Sequence, residues 1–289
     1  MDSGRGAAIT VVIPVWDDYV PYLQEAVDSV GPDAADVSIV VVDNASTPPV
    51  TPPPGASVVR ASRRLSVGAA RNLGLDQVDT QYVVVLDADD RLLPGTLEFL
   101  RARLDADSSV SVAATSILDS ATGERHRFPR TFVPRLSGWR HVFAVIDCIW
   151  SLFPIQGCAL LRTAQVKEAG GYPDSDWGDD WVLAVSLAFR GRVEVHNRLG
   201  RYYRHIPESL WRRSRPRSDL VASARLVRER VRSDPAIPTW TRTLLPAITL
   251  LQLAAVYVLQ PAYLAARSAR AGGRRLLGRA SRGPDGRPL

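Results

Sequence analysis

Cysteine, methionine and lysine are scarce in this chain of 289 residues. Two cysteines, Cys148 and Cys158, cannot staple a fold, and their spacing fits no CxxC metal or redox motif. A reducing compartment is the expectation. Lys167 is the single lysine among 36 basic residues. No GxGxxG follows an apolar run, and there is no Walker A lysine, GxSxG elbow or HExxH. Dinucleotide oxidoreductases, P-loop NTPases and ordinary serine hydrolases are therefore disfavoured. A secretory leader is not legible either. The first apolar run, Ile9 to Val15, is short and leads straight into Trp16-Asp17-Asp18. The expected location is cytoplasmic. Internal repeats are missing.

What is present is a globular share of apolar residues, 46%, too high for a wholly disordered chain. Charge is divided unevenly. Residues 1–200 hold 18 basic and 25 acidic residues, whereas 201–289 hold 18 basic and 5 acidic, a balance of −7 against +13. An acidic front part is a poor general binder of nucleic acid. An arginine-rich rear part suits an anionic membrane, a nucleic acid or plain solvent.

The first hundred residues alternate strand-like and helix-like runs. Ile9 to Val15, Val37 to Val42 and Tyr82 to Leu86 are continuous apolar runs of strand length, suited to strands covered on both faces. Between them, Val20 to Val30 and Ser66 to Leu75 have helical spacing. Pro94 to Leu104 reads as a helix with proline in its first turn. Five prolines in Thr47 to Gly55 mark a loop. This alternation predicts an α/β fold with a mostly parallel central sheet flanked by helices. Further on, Val110 to Thr115 and Cys158 to Leu161 read as strands around an excursion at 119–140. Gly170 to Pro173 reads as a turn and Trp181 to Phe189 as a buried helix. Val193 to Val195 and Arg201 to Arg204 read as two short strands.

Ligands of open α/β sheets sit outside the carboxyl ends of the strands, and carboxylates gather at two such ends. Asp87-Ala-Asp89 follows one strand; alternate carboxylates there can share a hard divalent cation, Mg²⁺ or Mn²⁺. The plain alternative is a solvated turn capping the next helix. Asp43 ends another strand and can accept from a base N–H or a sugar hydroxyl, or close an Asx-turn within Asp43-Asn44-Ala45-Ser46. Arg71, in a helix opening at Ser66, can meet a phosphate or pair with the aspartates. Asp180, between Trp177 and Trp181, is placed to act as a general base, with Asp179 favoured as a helix N-cap. His205 ends a strand and, taken alone, reads as structural.

Together these segments resemble the family 2 glycosyltransferases of the GT-A fold over about residues 7–210. The resemblance rests on Val11-Val-Ile-Pro14-Val15, Val40-Val-Val-Asp43-Asn-Ala-Ser46, Gly68-Ala-Ala-Arg71-Asn72-Leu-Gly74, Leu86-Asp-Ala-Asp89-Asp90, Gly170-Gly171-Tyr172, Gly178-Asp179-Asp180-Trp181 and His205, in that order. It implies that Pro14 and Asp43 line a base pocket, Arg71 contacts the nucleotide and Asp87 faces the ribose and diphosphate. It implies that Asp89 binds Mn²⁺ or Mg²⁺ with His205 as second protein ligand. Asp180 matches the catalytic base, and Asp179 stands where the family has glutamate. Trp177, Asp179 and Trp181 would face the acceptor. The Gln-x-x-Arg-Trp motif of processive synthases has no match. The expected activity is inverting transfer of one sugar from a nucleotide-diphosphate donor, most often a UDP-sugar, to an acceptor hydroxyl. Two other readings compete: a nucleotidyltransferase on a related fold, and a non-enzymatic adaptor for membrane or nucleic acid.

The expected division is a catalytic domain at 1–210, a helical extension at 211–266 and an arginine-rich, disordered tail at 267–289. Thr243 to Ala266 carries no charge, but Pro246 and Pro261 leave only Ala247 to Gln260 uninterrupted. A helix of about 21 Å suits the membrane interface better than a span, and the arginines of 211–289 suit an anionic leaflet. A lipid-linked acceptor and a peripheral membrane location go with that reading. Packing on the chain's own domain or on a second subunit of a homo-oligomer is the alternative.

Overall fold

The computed structural model describes residues 7–31, 36–119, 125–126, 133–136, 138–153, 155–206 and 217–259. The tail at 267–289 and much of the excursion at 119–140 lie outside them.

The apolar runs form the strands expected of them. β1 (Ile9–Val15) is followed by a 3-10 segment (Asp17–Tyr22) and α1 (Leu23–Asp28), then β2 (Val37–Asp43). The helix expected over Val20 to Val30 is thus split, with Pro21 inside the 3-10 segment. After the proline loop comes β3 (Ala56–Arg60), a half-exposed edge strand not foreseen. α2 (Val67–Leu75) starts at its expected N-cap, with Ser66 Oγ accepting from the Ala69 N–H at 3.2 Å. β4 (Tyr82–Val85) and the two-residue β5 (Arg91–Leu92) precede α3 (Thr96–Ala106). Pro94 lies outside α3, because Gly95 takes the cap position with φ 70°, a conformation that costs glycine little.

β6 (Val110–Asp119), β7 (Arg125–His126), α4 (Val133–Leu136) and α5 (Arg140–Ile149) lead to β8 (Ala159–Arg162). α5 was unforeseen because Val142 to Ile146 is a solid apolar run with no helical gap. Next come α6 (Thr163–Glu168), α7 (Asp179–Arg190) and β9 (Arg192–Tyr203). β9 is one strand, not two. Its pairing with β6 slips between Val195 and Leu199, so a bulge carries the polar residues between them without ending the strand. α8 (Arg217–Ser233), α9 (Thr239–Thr243), α10 (Leu245–Ala254) and a π-helical turn (Ala255–Leu259) follow.

The sheet order is β3-β2-β1-β4-β8-β6-β9-β5, with β7 beside β6. β3, β2, β1 and β4 are parallel, as expected. β8 is antiparallel to both its neighbours, and β5 to β9. The chain thus enters β8 from the carboxyl end of the parallel strands, after α4 and α5, and runs back toward their amino end. That route keeps α5 and the segment before β8 at the carboxyl end of the parallel strands.

Both faces of the sheet are covered. Ile9, Val11, Ile13, Val41, Val84 and Leu160 pack with α1 and α3, while Val12, Val42, Val83, Val85 and Leu161 pack with α2, α5 and α7. This two-sided burial is why the strands are apolar throughout. Gly74 lets α2 lie close on the sheet; a Cβ there would sit 2.3 Å from Val12 Cγ1. At the other end, α8 packs on α7, and α10 packs on α5 and α8. No helix among the described residues is long and apolar enough to cross a membrane.

Candidate active site

The site is built where β1, β2 and β4 end. Pro14 is buried in β1 opposite Val42. The last rung to β4 runs from the Leu86 N–H to the Val12 oxygen. Two residues on, the missing N–H of Pro14 faces that same side beyond the rung, so nothing is lost. Asp43 takes the Asx-turn form. Its Oδ1 accepts from the Ser46 N–H at 2.8 Å and its Oδ2 from the Val50 N–H at 3.1 Å and from Arg60. Burial opposes its charge, but these donors hold it below the usual carboxylate range. Buried and engaged in its own loop, Asp43 shapes the strand end rather than presenting an open acceptor. After β1, the Trp16 ring lies under Arg64, at 3.9 Å.

Arg71 is the hub. Its Nη1 donates to Asp179 Oδ2 at 2.5 Å and its Nη2 to Asp87 Oδ1 at 2.8 Å. The ion-pair reading of Arg71 is therefore the observed one. Burial alone would lower its pKa, but Asp179 and Asp87 more than offset this, so it stays charged. A second motif explains its position. Asn72, its neighbour, accepts from the Tyr172 N–H at 2.9 Å and donates to the Tyr172 oxygen at 2.8 Å. The Gly171-Tyr172 turn is thereby pinned to α2. Asp174 and Asp176 add bonds to Ser66 Oγ and the Val67 N–H at the amino end of α2.

Asp179 is not the N-cap of α7. Gly178 holds that place with φ 68°, where a Cβ would strike Ser223. Asp179 turns inward to Arg71 instead. Burial pushes its pKa up to about 6, with Arg71 pulling against that.

Asp180 has partners of its own. Its Oδ1 accepts from the Trp181 N–H at 2.8 Å. The Gln156 amide lies between carboxylate and guanidinium, which dictates its orientation. Its Nε2 donates to Asp180 Oδ2 at 3.1 Å and its Oε1 accepts from Arg71 Nη1 at 3.2 Å. Gln156 escaped the sequence reading, since no motif marks a lone glutamine before Gly157. The Trp181 indole donates to the Asp147 carbonyl of α5 at 2.5 Å. Asp147 is a further surprise. It is fully buried, Oδ1 accepts from the Leu152 N–H at 2.8 Å, and Oδ2 has no hydrogen-bond partner among the described residues. Burial pushes its pKa up to about 8, with Asp180 adding to the effect.

The carboxylates after β4 divide their work. Asp87 is shared by Arg71 and by Arg201 of β9, whose Nη2 lies at 3.2 Å; burial opposes its charge, but the two guanidiniums hold its pKa down. Asp90 pairs with Arg201 and accepts from the Arg204 N–H at 2.9 Å. Asp89 has Arg201 as an opposing charge. Burial, then Asp90 and Asp87, push its pKa up to about 8. Arg201 Nη1 also donates to the Gln156 carbonyl at 2.6 Å. His205, exposed, follows Arg204, whose Nε donates to the Asp89 carbonyl at 3.0 Å. So Arg71, Asp87, Asp179, Asp180 and Gln156 form one connected network, with Asp89, Asp90 and the start of the His205 segment joined through Arg201 and Arg204.

A divalent cation fits one part of this network. The buried Asp89 carboxylate beside two others is short of positive charge, and a cation would supply it. Under the resemblance, Asp89 and His205 would hold it. Among the described residues no group of three or more His, Cys, Asp or Glu side chains is placed to hold a metal ion, so further ligands would come from a bound substrate or water.

Comparison with known proteins gives three likenesses. The family model described as Glycosyl transferase family 2 matches residues 10–170, more than half of the chain. The succinoglycan biosynthesis protein ExoO of Rhizobium meliloti (strain 1021) is 25% identical over 216 residues, which are 69% of this chain and 61% of that protein. The chain thus spans less than two thirds of that relative's length. Among solved structures, S. aureus TarS 1–349 in complex with UDP-GlcNAc has a TM-score of 0.63 at 16% identity, and its complex with UDP a TM-score of 0.60 at 18%. Both cover 86% of this chain and 72% of the other.

Proposed function

Because the chain belongs to glycosyl transferase family 2 and shares the GT-A fold, we propose that it transfers a single sugar from a nucleotide-diphosphate donor to an acceptor hydroxyl, with inversion. The observation that carries this is the bridge made by Arg71, which ties the strand-end carboxylate Asp87 to Asp179, next to Asp180. Donor-side and acceptor-side residues far apart in sequence thereby share one network. A UDP-sugar is the donor class we favour, since the two TarS complexes named above hold UDP-GlcNAc and UDP.

In this reading Asp180 is the base. It removes the proton of the acceptor hydroxyl as that oxygen bonds to the anomeric carbon. The carbon–oxygen bond to the diphosphate breaks on the opposite face, and its electron pair leaves with the diphosphate. A well-placed base contributes about 10²–10⁴-fold. Gln156 and the Trp181 N–H hold one oxygen each of the Asp180 carboxylate, which fixes its aim. Arg71 and Arg201 keep Asp87 charged and set the floor of the donor site. Pro14 and Asp43 shape the base side, and Trp177 and Trp181 the acceptor side. Asp89 and His205 would hold Mn²⁺ or Mg²⁺, which when bound offsets charge on a leaving diphosphate. The missing Gln-x-x-Arg-Trp motif supports one transfer per encounter rather than polymerisation.

The test is a thermal-shift panel of nucleoside diphosphates with and without Mn²⁺, followed by donor turnover. Stabilisation by UDP that deepens with Mn²⁺ is expected. Equal insensitivity to every nucleotide diphosphate, in both conditions, would end the proposal.

A further inference from the structure

α10 carries a polar residue inward and leucines outward. Gln252 is buried at 1% exposure beside Leu245 and Ile248, with its amide between Arg228 of α8 and the Cys148 carbonyl of α5, while the half-buried Thr249 donates to the Leu245 carbonyl. Three of its four leucines face outward: Leu250 is 69% exposed, and Leu251 and Leu253 are exposed as well. The exposed positions of α10 are Pro246, Ala247, Leu250, Leu251 and Leu253, with no polar group among them. Tyr257 and Val258 extend the same character past its end. Soluble helices place their polar residues the other way round.

The apolar surface continues onto neighbouring elements. Trp240 of α9 is exposed and meets His141 of α5 edge-on at 6.0 Å; Trp139 and Val142, beside His141, are exposed too. Positive charge rims it. Arg217 lies over the Tyr257 ring at 5.7 Å, Arg242 on α9 is exposed, and Arg228 sits against Gln252. From 235 to 259 the chain has no acidic residue.

We infer that this face, formed by the outer side of α10, the turn after it, α9 and the start of α5, docks on an anionic lipid bilayer. Apolar side chains and tryptophans enter the acyl boundary, while arginines meet headgroup phosphates. α10 has ten residues, about 15 Å of helix, so it lies in the plane of the interface. A second copy of the chain fits less well. A two-fold contact would bring the basic edges of two copies together, and on α9, α10 and the turn after it no acid is present to pair them, the nearby Glu229 of α8 being engaged by Arg225. The surface is also close to the chemistry. Asp147 and Cys148, adjacent on α5, give one carbonyl to Trp181 beside Asp180 and the next to Gln252 of α10.

The test uses the full chain with extruded vesicles, either phosphatidylglycerol mixed with phosphatidylcholine or phosphatidylcholine alone, and no sugar donor, so it is independent of the transferase reading. Co-sedimentation with the mixed vesicles, weakened by salt, is expected. Leu250→Glu and, separately, Val258→Glu should each cut partitioning about tenfold or more while leaving the thermal transition in place. Arg242→Ser should flatten the salt dependence. Absence of binding, or variants that bind like the parent, would overturn the proposal. So would a dimer in solution that Leu250→Glu dissolves, or loss of cooperative unfolding in both variants, since either would show these side chains to be buried against protein.

Discussion

The guanidinium of Arg71 donates to Asp179 at 2.5 Å, joining residues 108 apart in the chain. Both are almost fully buried. A buried ion pair of this kind gives little net stability, but it is costly to break, because the partner left behind is an unpaired charge.

Arg71→Ala should therefore destabilise the fold by about 3–5 kcal/mol, since it strands Asp179 and removes one of the two guanidiniums on Asp87. Arg71→Lys should recover only part of this, as an ammonium does not span two carboxylates in the fork geometry. Urea denaturation measures both; a cost under about 1 kcal/mol for the alanine variant would contradict the hub role.

Asp180→Asn should reduce sugar transfer by about 10²–10⁴-fold and leave nucleotide binding nearly intact. Turnover together with a nucleotide thermal shift separates the two effects. Near-normal turnover would remove Asp180 from the role of base.

Gln156→Glu would set a second carboxylate 3.1 Å from Asp180 Oδ2, in place of the amide donor. Like charges disfavour ionisation, so the acid limb of the rate–pH profile should move to higher pH. Gln156→Ala should lower kcat without that displacement. Coincident pH profiles for all three proteins would show that Gln156 has no hold on the base.

Asp147 makes an opposite kind of prediction, on stability. Its folded pKa, pushed up to about 8, lies above the unfolded value of 3.8. Between those values the folded state binds the extra proton, so Asp147 costs nothing below pH 3.8 and an increasing amount as pH rises toward 8. Asp147→Asn should leave stability near pH 4 unchanged and raise it at neutral pH by roughly 1–4 kcal/mol. Denaturant midpoints at the two pH values decide; a variant weaker at neutral pH would mean that the ionised carboxylate is stabilising.

Gly74→Ala tests the approach of α2 to the sheet. Alanine is the better helix former, yet its Cβ would lie 2.3 Å from Val12 Cγ1 and 2.8 Å from Val42 Cγ2. Overpacking should win, costing roughly 1–3 kcal/mol. A stabilised variant in calorimetry would show that the helix has room to move.

Much of this molecule is legible without coordinates. The solid apolar runs at Ile9, Val37 and Tyr82 announce two-sided strands, and Ser66 announces the start of α2. The order of weak motifs from Pro14 to His205 points to the family. These features are local: periodicity, capping chemistry and spacing act over a few residues, so they survive in the linear text.

Other features depend on what meets what. Asp43 and Asp87 each follow an apolar strand, yet Asp43 is engaged by its own loop while Asp87 is held by two arginines from distant elements. Asp179 and Asp180 are neighbours in sequence yet take different partners, because Gly178 starts the helix and Arg71 claims the first of them. Gln156, Asp147 and the reversal of β8 carry no local signature. Nor does the inverted face of α10, since a charge-free stretch of sequence does not tell which side of a helix the protein will cover. Residue type and order determined the family and the strands; packing alone determined which polar groups lost their water, and with it which carboxylates are paired with arginine and which are left without a matching charge.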